Sequence, residues 1–214
     1  MTEIKDHFNV SSPEITPRLK EMEVSNFIFR KDDNKYYITQ IGKVVARYFR
    51  PLIDVLNTIE KDEEFWKEHI LDDIPQHLLE RIYDLGECSL LEDSLENIYD
   101  ANRDYTGNLL KSNVIMGISP IFIPAYPALF VELVQKNIPI TLILTKKVFE
   151  KIKNEYRDEL QTYLEHDKTR LYVTDNVKIA FTVTDYFLSL SLFFKNGSYD
   201  PQHDLMGFDE SALE

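Results

Sequence analysis

Cysteine is nearly absent from this chain of 214 residues: Cys88 stands alone. It cannot close an internal disulfide, and it reads as a small buried hydrophobe rather than a nucleophile. The six glycines are scattered, which excludes a glycine-rich phosphate loop. A nucleophile elbow and a paired-histidine helix motif are also missing, so hydrolase and zinc-protease chemistry lack their parts. The five histidines, His7, His69, His77, His166 and His203, lie far apart in the chain and read as surface groups. The acidic run Asp62-Glu63-Glu64, with Glu68, His69, Asp72 and Asp73, has no ligand-spaced pair and reads as a solvated face. No catalytic residue, metal ligand or cofactor is expected. The longest apolar run, residues 115–122, is broken by Gly117 and Pro120 and is too short to span a bilayer. Acidic and polar residues, not a secretory signal, follow Met1. The expectation is a cytoplasmic protein with no membrane partner.

What is present begins with charge. The net charge is -13, but it is unevenly placed. Residues 1–50 hold nine Lys/Arg against seven Asp/Glu, and the remainder holds fifteen against thirty. DNA affinity depends on local phosphate neutralisation, so a small basic module on an acidic body remains compatible with binding.

The first fifty residues carry the DNA-binding reading. Residues 3–8 predict a short helix ending at Asn9, a residue suited to a left-handed turn. Ser11 opens a second helix, with Glu14 at capping-box spacing. Ile15, Leu19 and Met22 give that helix one buried face, while Ser12, Thr16, Arg18 and Lys20 populate the other. Short hydroxyls and cations are the groups that read base edges and hold phosphates. Phe27-Ile28-Phe29 and Tyr36-Tyr37-Ile38 flank a polar turn and predict a hairpin, with Arg30, Lys31 and Lys35 on it. A further helix follows from about Lys43. This is the order of a winged helix-turn-helix. An amphipathic helix beside a surface hairpin, with no DNA role, is the alternative.

From Lys43 to about Leu85 the pattern is helical, with Pro51 and Pro75 expected to break it. A helix is expected near 91–110. Strands are expected over 113–118, 138–144, 170–174, 177–184 and 187–194, with helices near 127–136 and 147–164. The expected fold class is α/β (α+β overall), its sheet parallel at first and an antiparallel meander later. The domains expected are 1–58, a winged helix-turn-helix with its connecting helix, and 59–214, a helical segment with an α/β effector and dimerisation domain.

A sensing site is expected where strand ends meet loops. Ser119 and Tyr126 sit in a segment stiffened by Pro120, Pro124 and Pro127. Thr145 ends the next strand, while Lys178, Thr184 and Asp185 belong to a strand with a recognisable spacing. Phospholipase-D-type strands carry His, then Lys two residues on, then Asp seven after the His. Here those places hold Lys178, Ala180 and Asp185. Phosphoryl transfer through a covalent intermediate needs the imidazole nucleophile, so a pocket without that chemistry is expected.

Several segments resemble a known family. Asn9-Val-Ser-Ser-Pro-Glu-Ile-Thr-Pro-Arg-Leu-Lys-Glu-Met-Glu23, Asn26-Phe-Ile28 and Tyr37-Ile-Thr-Gln-Ile-Gly42 resemble the DNA-binding half of methanogen winged-helix regulators. Phe65-Trp66, His69, Ile74-Pro75, Leu142-Ile-Leu-Thr145, Thr182-Val-Thr-Asp185 and Ser189-Leu-Ser-Leu192 resemble the second half of the methanogenesis and filamentation regulators. The resemblance covers nearly the whole chain. It implies an archaeal regulator that binds double-stranded DNA, responds to a small-molecule effector and forms a homodimer. It also implies an effector region distantly like the phospholipase-D-like domains of sugar-sensing archaeal regulators. Only three residues precede Ile4, so the usual first helix of a winged helix is expected to be missing. Two other readings remain: a sensing or dimerisation protein that does not bind DNA, and a phosphodiesterase-type enzyme.

Overall fold

The computed structural model describes residues 2–92 and 98–213. They separate into two units, Met1–Leu56 and Asn57–Glu214.

In the first unit, α1 (Thr2–Phe8) and α2 (Ser12–Val24) meet at Asn9. Asn9 takes φ 50°, a left-handed conformation that asparagine tolerates better than most residues. The Ser11 N–H and hydroxyl both donate to the Glu14 carboxylate, at 2.7 and 2.6 Å. These donors hold Glu14 below the usual carboxylate range, and they supply an orphan amide at the helix start with an acceptor. β1 (Ile28–Arg30) and β2 (Tyr36–Ile38) pair antiparallel, Phe29 opposite Tyr37, around a turn in which Asn34 takes φ 64°. The next helix, α3 (Gln40–Lys61), runs through Pro51 instead of ending there. A proline removes one bond, the one that the Arg47 carbonyl would accept, and both residues are exposed, so water can take that carbonyl.

The second unit contains α4 (Glu63–Glu68), α5 (Gln76–Leu79) behind Pro75, a 3₁₀ turn at Ile82–Leu85 and β3 (Ser89–Glu92). Then come α6 (Ile98–Lys111), β4 (Ile115–Ser119), α7 (Tyr126–Gln135), β5 (Ile140–Thr145), α8 (Lys146–Glu155) and α9 (Arg157–Glu165). The chain closes with β6 (Thr169–Thr174), β7 (Ile179–Thr184), β8 (Leu188–Leu192), β9 (His203–Gly207) and α10 (Glu210–Leu213). Seven strands form one sheet in the order β3-β9-β8-β7-β4-β5-β6. β4, β5 and β6 are parallel, and every other pairing is antiparallel. The fold is mixed α/β.

Three features differ from the sequence reading. The helix expected over 147–164 is two helices, because Tyr156 takes φ -136° and ψ 50° and turns the chain between them. β3 and β9 were not expected, and they pair with each other across more than a hundred residues of sequence. His69 is buried, not at the surface.

Alternation along the strands decides what lies on each face of the sheet. Ile115, Ile140, Leu142, Leu144 and Met206 share a core with Leu109 of α6, Leu133 of α7, Val148 of α8 and Tyr163 of α9. The four helices therefore cover one face. β8 is buried along its whole length. Its serines turn to the helix-covered face, and Leu188, Leu190 and Leu192 turn to the other. Near that strand's end the Ile70 N–H donates to the Phe193 carbonyl, and the Lys195 N–H to that of Glu68. These two bonds tie the segment after α4 to the sheet.

Candidate functional site

Between the helices and the sheet lies a cavity of about 440 Å³, within the range of small-molecule sites. Strand order grades its lining. Over β4, β5 and β6 it is walled by Ile115, Leu142, Leu144 and Leu171, with Phe122 from the loop after β4 and Phe130, Val148 and Ile152 from the helices. Over β7, β8 and β9 the wall is polar: Thr182, Ser189, Ser191 and Asp204, joined by Tyr105 and Tyr199. Register explains the polar end. Thr182 sits opposite Ser189 across the β7–β8 ladder, and Ala180 opposite Ser191. These side chains therefore share a face.

The polar end is internally bonded. The Ser189 hydroxyl lies 3.0 and 2.9 Å from the two Asp204 oxygens, and the Ser191 hydroxyl donates to one of them at 3.0 Å. The Tyr105 and Thr182 hydroxyls are 2.7 Å apart. Tyr105 stacks on Tyr126, with centroids 5.8 Å apart, and meets Phe187 edge-on. Burial pushes the phenols of Tyr105, Tyr126 and Tyr199 upward, and it outweighs the opposing hydrogen bonds between Tyr105 and Thr182 and between Tyr199 and Ser191. All three phenols stay protonated and neutral at physiological pH. No hydrogen bond to the Tyr126 hydroxyl is made among the described residues, although this ring stands in the cavity wall at the start of α7.

Of the six residues expected to gather around a ligand, Ser119 and Tyr126 line the cavity. Ser119 donates its hydroxyl to the Ile121 carbonyl at 2.7 Å and so shapes the loop after β4. The other four do not line it. Thr145 caps α8 by accepting from the Val148 N–H at 3.4 Å. The Lys178 backbone N–H donates to Asp73. Thr184 closes the β7–β8 turn, accepting from the Tyr186 and Phe187 amides at 2.9 and 2.8 Å. Asp185 accepts from the Asn113 amide at 2.7 Å, its side chain at 2.8 Å and the Val114 amide at 3.3 Å. Partial burial would raise its pKa, but these donors outweigh it and hold the carboxyl below its usual range. The polar cluster of Thr182, Ser189, Ser191 and Asp204 escaped the sequence reading. Its signal was there in the hydroxyls at 189 and 191, which a two-residue period places on one face of an otherwise leucine strand.

In the first unit, Ser12, Arg18, Lys20, Arg30, Lys31 and Lys35 are exposed, and Thr16 is half-buried. Ser12 accepts from the Lys5 ammonium at 3.1 Å, and Thr16 donates to the Ser12 carbonyl at 2.7 Å. Arg18 pairs with Glu21 at 3.2 Å, an exposed pair worth little. On the hairpin, Arg30 lies over the Tyr36 ring at 5.9 Å and Lys31 over the Tyr37 ring at 4.3 Å. The Lys35 amide donates to Asp33 at 3.0 Å, which fixes the turn between them.

The second unit is thus a mixed α/β domain whose sheet, parallel over β4–β6 and antiparallel elsewhere, carries a graded cavity under its helices. Residues 98–214 match the family described as "Methanogenesis regulatory protein FilR1, middle domain", and the chain belongs to that family. It is 24% identical over 193 residues to the Methanogenesis regulatory protein FilR1 of Methanothrix harundinacea, a match covering 88% of this chain and 43% of that protein. The chain thus spans less than half the length of the curated relative it matches. Among solved structures it is distantly similar to TrmBL2, an archaeal chromatin protein, at 15% identity and a TM-score of 0.47. That likeness covers 96% of this chain and 78% of TrmBL2. NucT from Helicobacter pylori gives 12% and 0.42, over 58% of this chain and 86% of the other. Nuc from Salmonella typhimurium, a phospholipase D family member, gives 11% and 0.38, over 56% and 82%. No helix of the described residues is long and apolar enough to cross a membrane.

Proposed function

We propose that this chain is a DNA-binding transcription regulator whose α/β unit senses a small molecule. The observation that carries the reading is the cavity in a domain of a regulator family. Two features of the first unit support the DNA half. Its order, α1, α2, a hairpin and α3, is that of a winged helix-turn-helix. Exposed cations lie on α2 and the hairpin, the elements that would enter a groove and flank it, as well as on α3.

In this reading Ser12, Thr16, Arg18 and Lys20 face the major groove, while Arg30, Lys31 and Lys35 hold phosphates. Replacing Arg18 by Ala is expected to cost about 1–3 kcal/mol of operator affinity and to relax specificity at one position. Lys35→Ala is expected to weaken binding to every sequence alike and to flatten the salt dependence by about one charge. Titrations of both variants against DNA upstream of the chain's own gene, over a range of salt, make the comparison. Operator affinity unchanged in both would remove the assignment.

The same reading makes the chain a non-enzyme, since Lys178 and Ala180 stand where a phospholipase-D-type strand needs His and Lys. No turnover of a chromogenic phosphodiester is expected. Hydrolysis that tracks the protein through purification would reject this.

Homodimer formation is proposed through α3. Ile41, Val45, Tyr48 and Leu52 are exposed apolar residues at spacings of four, three and four, the seam of paired helices. Phe49, Ile53 and Leu56 widen the stripe. Sedimentation should show a dimer that Tyr48→Glu dissociates, and a monomer in the unsubstituted chain would dismiss it.

A further inference from the structure

The hydrogen bonds of the cavity wall bear on what kind of molecule fits inside it. This inference rests on the reading of the cavity as an effector site. The groups of the polar end are bonded to one another: Tyr105 to Thr182, Ser189 and Ser191 to Asp204, and Tyr199 to Ser191. His203 is bonded through its Nδ1 to Asp200. Elsewhere in the lining, Ser119 donates to the Ile121 carbonyl, and the Tyr163 hydroxyl lies 3.1 and 3.0 Å from the Ile140 and Arg170 carbonyls. Glu159 is half-buried in the first turn of α9, where the free amides of the helix favour an acidic side chain. A sugar or another polyol would have to break these bonds to pair its own hydroxyls, or bury them unpaired. Either is costly. The rest of the wall rewards apolar surface, with Leu142, Leu144 and Leu171 on the sheet side and Phe130 and Val148 on the helices.

Tyr126 is the exception among the hydroxyls. Its ring stacks on Tyr105 and meets Phe130 edge-on, with centroids 6.2 Å apart. Its hydroxyl has no hydrogen-bond partner among the described residues. Burial, then the neighbouring phenols of Tyr105 and Tyr199, raise its pKa, which puts the hydroxyl where the apolar wall meets the polar one. A partly buried hydroxyl without a partner is a group that a bound molecule can satisfy.

We propose that the cavity takes a largely apolar molecule with a single hydrogen-bonding group, which the Tyr126 hydroxyl holds. The apolar body lies against Leu142, Leu144 and Phe130. Sugars and other polyols are excluded by the same lining.

The test uses the full chain and three probes titrated against bound Nile red, a neutral apolar dye. Naphthalene is an apolar body alone, 2-naphthol adds one hydroxyl to it, and maltose is the polyol. Both aromatic probes are expected to displace the dye, and maltose is not. Tyr126→Phe removes one unpartnered oxygen and keeps the ring. It should leave naphthalene binding unchanged and weaken 2-naphthol about tenfold, a difference near 1.4 kcal/mol. Ala180→Phe puts a ring into the cavity floor opposite Ser191, and Ile152→Trp fills the cavity from the helical side. Each should abolish binding of dye and aromatic probes together, and the second serves if the first fails to fold. Equal effects of Tyr126→Phe on the two aromatic probes would overturn the proposed chemistry and leave the cavity as a site. So would displacement by maltose that the filled variants lose. Probe binding indifferent to both filled variants, or absent for all three probes, would overturn the effector-site reading itself.

Discussion

Asp200→Ala is expected to destabilise the α/β unit by about 2–4 kcal/mol, because each buried donor left without its acceptor costs about 1–3 kcal/mol. Asp200 is fully buried. One of its carboxylate oxygens takes the His69 Nε2 at 2.9 Å and the His203 Nδ1 at 2.6 Å. The other accepts the Gln202 amide at 2.9 Å. The second ring nitrogen of His69 faces the Phe65 carbonyl at 2.6 Å, so that imidazole has acceptors on both sides. Truncation to Ala removes this acceptor from the buried His69 imidazole, from His203 Nδ1 and from the Gln202 amide.

Acid should act on the same group. Burial would raise the Asp200 pKa, but the Gln202 amide, the hydrogen bond and charge of His203, and the bond from His69 outweigh it. The carboxyl therefore titrates below its usual range. A lowered pKa in the folded state means that the stabilisation is present above the unfolded value of about 3.9 and is lost as pH falls below it. Urea unfolding should show stability dropping through that acid window in the parent chain, with a smaller drop in Asp200→Ala. A variant within about 1 kcal/mol of the parent at neutral pH would show that the cluster does not hold the fold.

Gly42→Ala is expected to be the most damaging single methyl in the first unit. A Cβ at Gly42 would stand 2.0 Å from the Phe27 carbonyl oxygen and 2.8 Å from Ile38 Cγ1. The first of these is backbone and cannot rotate away. That carbonyl is pinned, because it accepts the Thr39 amide at 2.9 Å and the Thr39 hydroxyl at 3.2 Å. The same hydroxyl takes the Gly42 amide at 2.9 Å. Relieving the clash means opening the junction between the hairpin and α3. We expect a loss near 3 kcal/mol, the upper end of the usual overpacking range. It should be visible as lost hydrogen-exchange protection at Thr39 and Gly42. Gly107→Ala provides the contrast. Nothing lies within 4 Å of its added Cβ, in the middle of a helix, so it should be neutral or gain about 0.4–1 kcal/mol. Equal effects of the two substitutions would reject the steric account.

Local chemistry is what the sequence by itself determined. The Ser11–Glu14 cap, the left-handed Asn9, and the hairpin between Ile28 and Ile38 depend on contacts a few residues apart, and each was visible in residue type and spacing. The change from parallel strands to a meander was visible too, because helices intervene before β5 and β6 and none before β8. Runs such as Ile140–Thr145 are apolar enough to read as strands without knowing their neighbours.

Tertiary structure decided the rest, and in each case the reason is a partner distant in sequence. His-Asp-Leu-Met-Gly at β9 has no strand period of its own, and it becomes a strand because Leu188–Leu190 and Ser89–Glu92 offer it two ladders. His69 sits in an acidic, water-seeking stretch and is nevertheless buried, because Asp200 meets it from 131 residues away. Tyr126 lines the cavity at the end of a proline-stiffened loop. The polar end of the cavity was not legible in the sequence, since Thr182, Ser191 and Asp204 converge only when three antiparallel strands fix their register. A side chain's neighbours across a sheet are set by pairing, and pairing is a property of the whole chain that no local pattern encodes.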